Sequence, residues 1–333
     1  MVAITGANGL LGSYIAMKFI AQRIPAVALK RENSDLSFVD DSLKQVEWKN
    51  CDVLDSNSLI EVFQNTETVI HCAAIVSFDP RARKKIFKTN VQGTKNVVNA
   101  CLSAGVKHLI FISSVAALGR KKGSLKIDEQ SQWVESDLNS DYAKSKYLSE
   151  LEVYRGQEEG LNISIINPSV ILAPSDPNKS SAQIFNYVQR ERSFYTDGSV
   201  NYVDVRDVAE MVYKLYEAKL FGEKIISSAG HVNLKELIDL IAVRLNKKKP
   251  SIKIGAQVLQ LAAWIEEMRC RVTGTEALIS RQSVKMSKES FSYENKKSID
   301  LMHMNYRSLT ETLDWCCAHY LKAFSTNKSL SQD

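Results

Sequence analysis

Along the first two-thirds of the 333-residue chain, short apolar runs alternate with stretches in which apolar residues recur every three or four positions. The runs at 2–5, 26–29, 68–74, 108–113 and 163–170 are rich in Val and Ile and predict buried strands. Between them, 10–22, 56–64, 94–104 and 142–157 carry helical periodicity. Strand and helix in regular alternation imply parallel pairing through right-handed crossovers. The predicted class is therefore α/β, a doubly wound parallel sheet.

Further along, the pattern changes. Pro174, Pro177 and the Ser/Asn/Lys cluster up to Ser181 predict a long loop leaving the main sheet. Beyond about residue 230 helical patterns dominate. The chain thus divides into a dinucleotide-binding domain, 1–173 with 200–228, and a smaller, mainly helical substrate-binding part, 174–199 with 229–325. Residues 326–333 are expected as a disordered tail. Within 257–272, Val258, Leu261, Ala262, Ile265, Met268 and Val272 recur at helical spacing. Ordinary packing or a homodimer contact is the preferred reading of that face, over a pocket wall or a membrane-surface helix.

Composition narrows the classes. A formal charge of +5 is mild, and the lysine runs at 121–122 and 247–249 are short and lack interleaved aromatics, which excludes nucleic acid as a partner. The 6 cysteines show no metal-type spacing, so no metal site is expected. The chain opens on an apolar strand without a basic leader, and no apolar run approaches the ~20 residues of a membrane span. The expected setting is a reduced, cytoplasmic compartment, with a small molecule as the partner.

The first strand leads into TGANGLLG, with Gly6, Gly9 and Gly12 three apart. Gly6 permits the sharp turn out of the strand, Gly9 leaves room for a pyrophosphate against the backbone, and Gly12 lets helix and sheet approach. Free N–H groups at the helix start would then hold the anion. Glycines are common in turns, but here they sit between a strand and a helix, as a dinucleotide site requires. At the end of the second strand, where NAD-preferring sites place an acid, the chain reads VALKREN. Lys30 and Arg31 would welcome a 2′-phosphate, so NADP(H) is preferred, and Glu32 keeps NAD(H) open. A solvated basic turn is the bland alternative.

DYAKSKYLSE places Tyr142 and Lys146 one helical turn apart, a spacing that alone means only a shared helix face. With TGANGLLG, Ser114 in FISSVAALG, CDVLD, VIHCAA and NYVDVRDVA, all in order, the chain resembles the extended short-chain dehydrogenase/reductase superfamily. It is most like the dihydroflavonol reductase-like and 3β-hydroxysteroid dehydrogenase-like members through INPSVILAP and VSFDP. The resemblance implies a Rossmann fold and a catalytic set of Ser114, Tyr142 and Lys146. It also implies cofactor contacts at Gly6, Asn8, Gly9, Leu10, Leu11, Arg31, Asp52, Val53, Ala73, Ala74, Pro168 and Val170, besides Tyr142 and Lys146. An ordinary tyrosine titrates near 10; Lys146 is expected to lower that of Tyr142 so that it can pass a proton to or from a carbonyl oxygen. Ser114, five residues before Gly119, is favoured over Ser113. Tyr147 has Leu151 four residues on, and so lacks a lysine partner. Asn90 reads equally as a helix-kinking or capping amide and as a proton-relay residue. His71, in an apolar strand, reads as a satisfied core histidine.

The fold leaves the reaction open. Near the Ser114 strand, SVAALGRKK lacks the carboxylates that dehydratases of the family use, and INPSVILAP departs from the epimerase pattern. Leu118 and Ala173 depart from relatives on the substrate side. The expected activity is carbonyl–alcohol interconversion by NAD(P)(H). An NAD-dependent sugar-nucleotide epimerase is the alternative; neither an aromatic clamp nor an obvious diphosphate-binding arginine pair argues for it, and Arg190 and Arg192 are the residues that could overturn this. A non-catalytic cofactor sensor is the third reading.

Overall fold

The computed structural model describes residues 1–36, 39–119, 126–136, 139–177, 180–255, 257–258 and 291–329. Its longer strands are β1 (Val2–Thr5), β2 (Ala26–Lys30), β3 (Glu47–Asn50), β4 (Thr68–His71), β5 (His108–Ile112), β6 (Ile163–Pro168), β7 (Val170–Leu172), β8 (Ser199–Asp204), β9 (Glu223–Ser227) and β10 (Gly230–Asn233). The helices are α1 (Leu10–Ala21), α2 (Ser56–Phe63), α3 (Arg83–Ile86), α4 (Gly93–Ala104), α5 (Asp141–Glu158), α6 (Gln183–Gln189), α7 (Val205–Ala218), α8 (Leu234–Arg244), α9 (Lys296–Met302) and α10 (Leu309–Ser329). They form two compact units. The first comprises Met1–Ser169, Val205–Ser227 and Tyr293–Asn305; the second comprises Val170–Asp204, Ser228–Ser292 and Tyr306–Asp333.

The first unit is a 7-stranded sheet in the order β3-β2-β1-β4-β5-β6-β9, every pair parallel. This is the doubly wound α/β class expected from the alternating pattern. Alternate residues of each strand serve opposite faces. Ala3, Val27, Leu29, Val69, Leu109, Phe111 and Ile163 share one core with Leu59, Phe63, Val97 and Val153 from α2, α4 and α5. Helices α1 and α7 pack together, with Phe19 edge-on to Tyr213 and Tyr216. Burial on both faces is why the inner strands read as unbroken apolar runs.

Three departures from the sequence pattern have local causes. β3 reads EWKN, without an apolar run, because it is an edge strand. The run 68–74 is strand only to His71; beyond it the chain leaves the sheet, with Cys72 N–H still bonded to Thr5 O (3.3 Å). The run 163–170 is broken at Ser169: β6 ends at Pro168, and β7 pairs in a different sheet with β8. The other edge, β9, is closed by side chains. Glu129 Oε1 accepts from Ile226 N–H (2.9 Å) and Lys297 Nζ donates to Lys224 O (2.9 Å), which blunts an otherwise open edge. A cleft of about 870 Å³ beside it is lined by Lys126, Glu223, Glu294 and Lys297. These pair as Lys126–Glu294 and Lys297–Glu223.

In the second unit β8 pairs in parallel with β7 and antiparallel with β10. Leu172, Phe185, Val188, Leu237, Ile241, Leu313 and Tyr320 form its core. Phe185 stacks on Tyr320 at 4.7 Å, and the Tyr320 hydroxyl donates to Ala173 O (3.2 Å) while accepting from Ser175 N–H (3.0 Å). Helix α10 runs to Ser329, past residue 326 where the tail was expected to begin. The predicted helix at 257–272 lies outside the described residues except for 257–258. No helix among the described residues is long and apolar enough to cross a membrane.

Candidate active site

The glycine turn joins β1 to α1. Gly6 adopts φ +65°, and a Cβ there would come within 2.8 Å of Ala73 Cα. The turn and the chain leaving β4 are thus in backbone contact, which puts Ala73 and Ala74 beside Gly6. A Cβ on Gly12 would collide with Gly6 O. Gly9 is the N-cap of α1, provides no side-chain cap, and the first turn holds no acid. The leading N–H groups, around Asn8, Leu10 and Leu11, therefore have no side-chain acceptor, and helix polarity favours an anion there.

At the end of β2, Lys30 Nζ donates to Asn50 Oδ1 (2.9 Å) and, at 3.4 Å, to Glu32 O. Arg31 is exposed, and among the described residues its guanidinium has no ion-pair partner. Asp52 Oδ1 accepts from Leu54 N–H (2.9 Å), shaping the turn after β3, while the carbonyl of buried Val53 accepts from Asn96 Nδ2 (3.0 Å). These residues suit a dinucleotide lying across the ends of the parallel strands, the usual ligand position in such sheets. Pro168 closes β6; Val170 belongs to the second unit.

Below the turn lies a buried polar chain. Thr5 Oγ1 accepts from Ala73 N–H (3.2 Å) and pairs with His71 Nδ1 (2.7 Å), while His71 Nε2 meets Thr94 Oγ1 (3.1 Å). Burial, then the nearby Lys146 charge, pulls His71 down to about 3. It is a neutral, satisfied core histidine.

Helix α5 starts at the N-cap Ser140, whose side chain accepts from Ala143 N–H. It presents Tyr142, Lys146 and Glu150 on successive turns of one face. The Tyr142 phenol hydrogen-bonds Ser114, and the exposed Phe78 ring approaches it edge-on at 6.2 Å. Lys146 is buried; its Nζ donates to Ile112 O (2.6 Å) and lies 4.3 Å from the Phe111 ring centroid. The expected lowering of Tyr142 is not found. Burial raises the phenol above its ordinary value and the Ser114 bond opposes it. Burial also pulls Lys146 down to about 8, opposed first by Glu150 and then by Cys72.

The neighbouring serines separate: Ser114 Oγ also accepts from Ala116 N–H (3.2 Å), whereas Ser113 Oγ donates to buried Glu150. Tyr147 instead stacks on Trp133 at 4.6 Å. Asn90 sits in a π-helical turn, Phe87–Gln92. Its amide accepts from Ile75 N–H (2.8 Å) and donates to Ile75 O (3.0 Å) and Ser145 Oγ (2.9 Å), so it ties the chain leaving β4 to α5. Sequence reasoning passed over Glu150, Asn167 and Lys224, which form a buried network behind Ser114. The only signal was an acid four residues after Lys146. Among the described residues no cluster of His, Cys, Asp and Glu could hold a metal ion.

Residues 2–229 match the family model described as the NAD dependent epimerase/dehydratase family. A candidate dihydroflavonol 4-reductase of Synechocystis sp. is 26% identical over 318 residues, covering 93% of this chain and 91% of that protein. The crystal structure of gox2253 superposes with TM-score 0.81 at 27% identity, over 97% of this chain and 98% of the other. A UDP-glucose 4-epimerase from Thermotoga maritima, solved with UDP-glucose, superposes with TM-score 0.80 at 18% identity, over 97% and 99%; at that identity the likeness is one of fold.

Proposed function

The chain belongs to the NAD dependent epimerase/dehydratase family, and from that premise we propose that it interconverts a carbonyl compound and an alcohol through Ser114, Tyr142 and Lys146. The observation that carries this reading is the Ser114–Tyr142 hydrogen bond, with buried Lys146 one turn along the same helix. When bound, a nicotinamide cofactor supplies or accepts the hydride. The Ser114 hydroxyl and the Tyr142 phenol converge on the position a carbonyl oxygen would take. Ser114 donates to that oxygen and orients it, and Tyr142 passes its proton to the oxygen as negative charge develops there. Lys146 stabilises the phenolate left behind. The proton affinity of Tyr142, raised by burial, keeps the phenol protonated until substrate arrives. In the reverse direction the same pair removes the alcohol proton. Arg31, exposed at the tip of β2, supports NADP(H) as the preferred cofactor, through charge-assisted bonds to a 2′-phosphate.

The test is product analysis with NADPH and a panel of aldehydes and ketones, run beside UDP- and GDP-sugars. Consumption of NADPH with alcohol formation is expected. Epimer formation without net cofactor consumption would instead establish the epimerase alternative.

A further inference from the structure

Glu150 stands one helical turn beyond Lys146 and two beyond Tyr142, and only 2% of it is exposed. Its carboxylate is fully engaged by three strand ends. Ser113 Oγ, just after β5, and Asn167 Nδ2 in β6 (2.7 Å) donate to Oε1, and Lys224 Nζ in β9 donates to Oε2 (2.7 Å). The same Asn167 Nδ2 reaches Ser114 O (2.9 Å). With Lys146 on Ile112 O, residues 112, 113 and 114 are each tied, directly or through Asn167, to one face of α5. A buried ion pair is seldom kept for stability, since apolar residues of equal volume serve as well or better.

The surroundings of Lys146 sharpen the point. β4 and its exit present His71, pulled down to about 3 by burial, and Cys72, whose thiol burial pushes up to about 12; both are neutral near pH 7. β5 presents the Phe111 ring and the Ile112 carbonyl, and α5 presents Tyr142, which is neutral as well. Around Glu150, Lys224 pairs with the carboxylate, and Tyr154 is pushed up to about 12 by burial and by Glu150 itself. Glu150 is therefore the carboxylate that these elements set one helical turn from Lys146.

We propose that Glu150 is the positioning residue of this site: it holds Lys146 as an ammonium beside Tyr142 and, through Ser113 and Asn167, holds Ser114 against the phenol. The inference rests on the carbonyl-reductase reading above, yet its test has a readout independent of turnover. Lysines carrying 13C at Cε are titrated by NMR in the full chain, with the Lys146 resonance assigned from Lys146→Met. In Glu150→Gln the proton affinity of Lys146 is expected to fall about tenfold, one pH unit. The NADPH-dependent rate then peaks at lower pH. In Lys224→Met, which frees the carboxylate from its competing cation, the affinity of Lys146 is expected to rise. A loss of packing alone would lower the rate without moving either midpoint. An unchanged Lys146 midpoint in a folded Glu150→Gln overturns the proposal. Should that variant not fold, Lys224→Met decides: a raised midpoint supports the proposal, and an unchanged or lowered one overturns it. If no carbonyl is reduced by the wild-type protein, the reductase reading falls and the titration still judges Glu150.

Discussion

Tyr142, held by Ser114 and half-buried at the start of α5, is the residue on which the proposed chemistry turns. Tyr142→Phe keeps the ring and the helix but removes the transferable proton, so turnover should vanish while cofactor affinity, followed by fluorescence titration, stays within a few-fold. Arg31→Ala should weaken NADPH by about one to two decades, the worth of a charge-assisted contact of roughly 1.5–3 kcal/mol, and leave NADH nearly unaffected. Equal losses for the two cofactors would remove Arg31 from phosphate recognition. His71 makes a pH prediction. Its folded value, about 3, lies below its ordinary 6.5, so between these values the unfolded chain binds the extra proton. Stability should therefore fall as pH drops from 6.5 towards 3, with this group contributing a slope of up to ~1.4 kcal/mol per pH unit. Urea melts at pH 7, 5.5 and 4.5 should show a shallower decline for His71→Gln than for the wild-type protein.

The turn from β1 into α1 is an element whose geometry leaves no room for side chains. Gly12→Ala drives a methyl into Gly6 O, and overpacking against backbone of this kind costs about 1–3 kcal/mol. The urea midpoint should drop, and cofactor affinity with it, because the anion-binding N–H groups belong to the same turn. The strand–turn–helix pattern of TGANGLLG made this element legible, since each glycine has a local steric reason. The π-helical turn at Phe87–Gln92 was not legible: Asn90 stabilises it through Ile75 and Ser145, partners 15 and 55 residues away. Edge strand β3 escaped for the opposite reason, its residues being polar enough to resemble a loop.

Each unit of the molecule has its own core, and in the second Phe185 is wholly buried against Tyr320. Phe185→Ala should cost about 3–5 kcal/mol, read as faster amide exchange in β7, β8 and β10. The split of 163–170 between two sheets belongs to this scale. Asn167-Pro168-Ser169 marks where the run breaks, but that its two sides join different sheets is decided by their strand partners.

The order of strands and helices, the glycine turn and the Tyr142–Lys146 spacing are properties of neighbours along the chain, governed by periodicity and local sterics. The sequence by itself was therefore enough to determine the α/β class and to mark the candidate residues. What surrounds those residues depends on contacts between distant segments. Only the tertiary structure decided that Lys146 is buried against Ile112 and Phe111, that burial raises rather than lowers the phenol, and that Glu150 joins Ser113, Asn167 and Lys224. Desolvation and Coulomb interactions act through space, and four such residues, drawn from two strands, the exit of a third and a helix, leave no periodic trace in the chain.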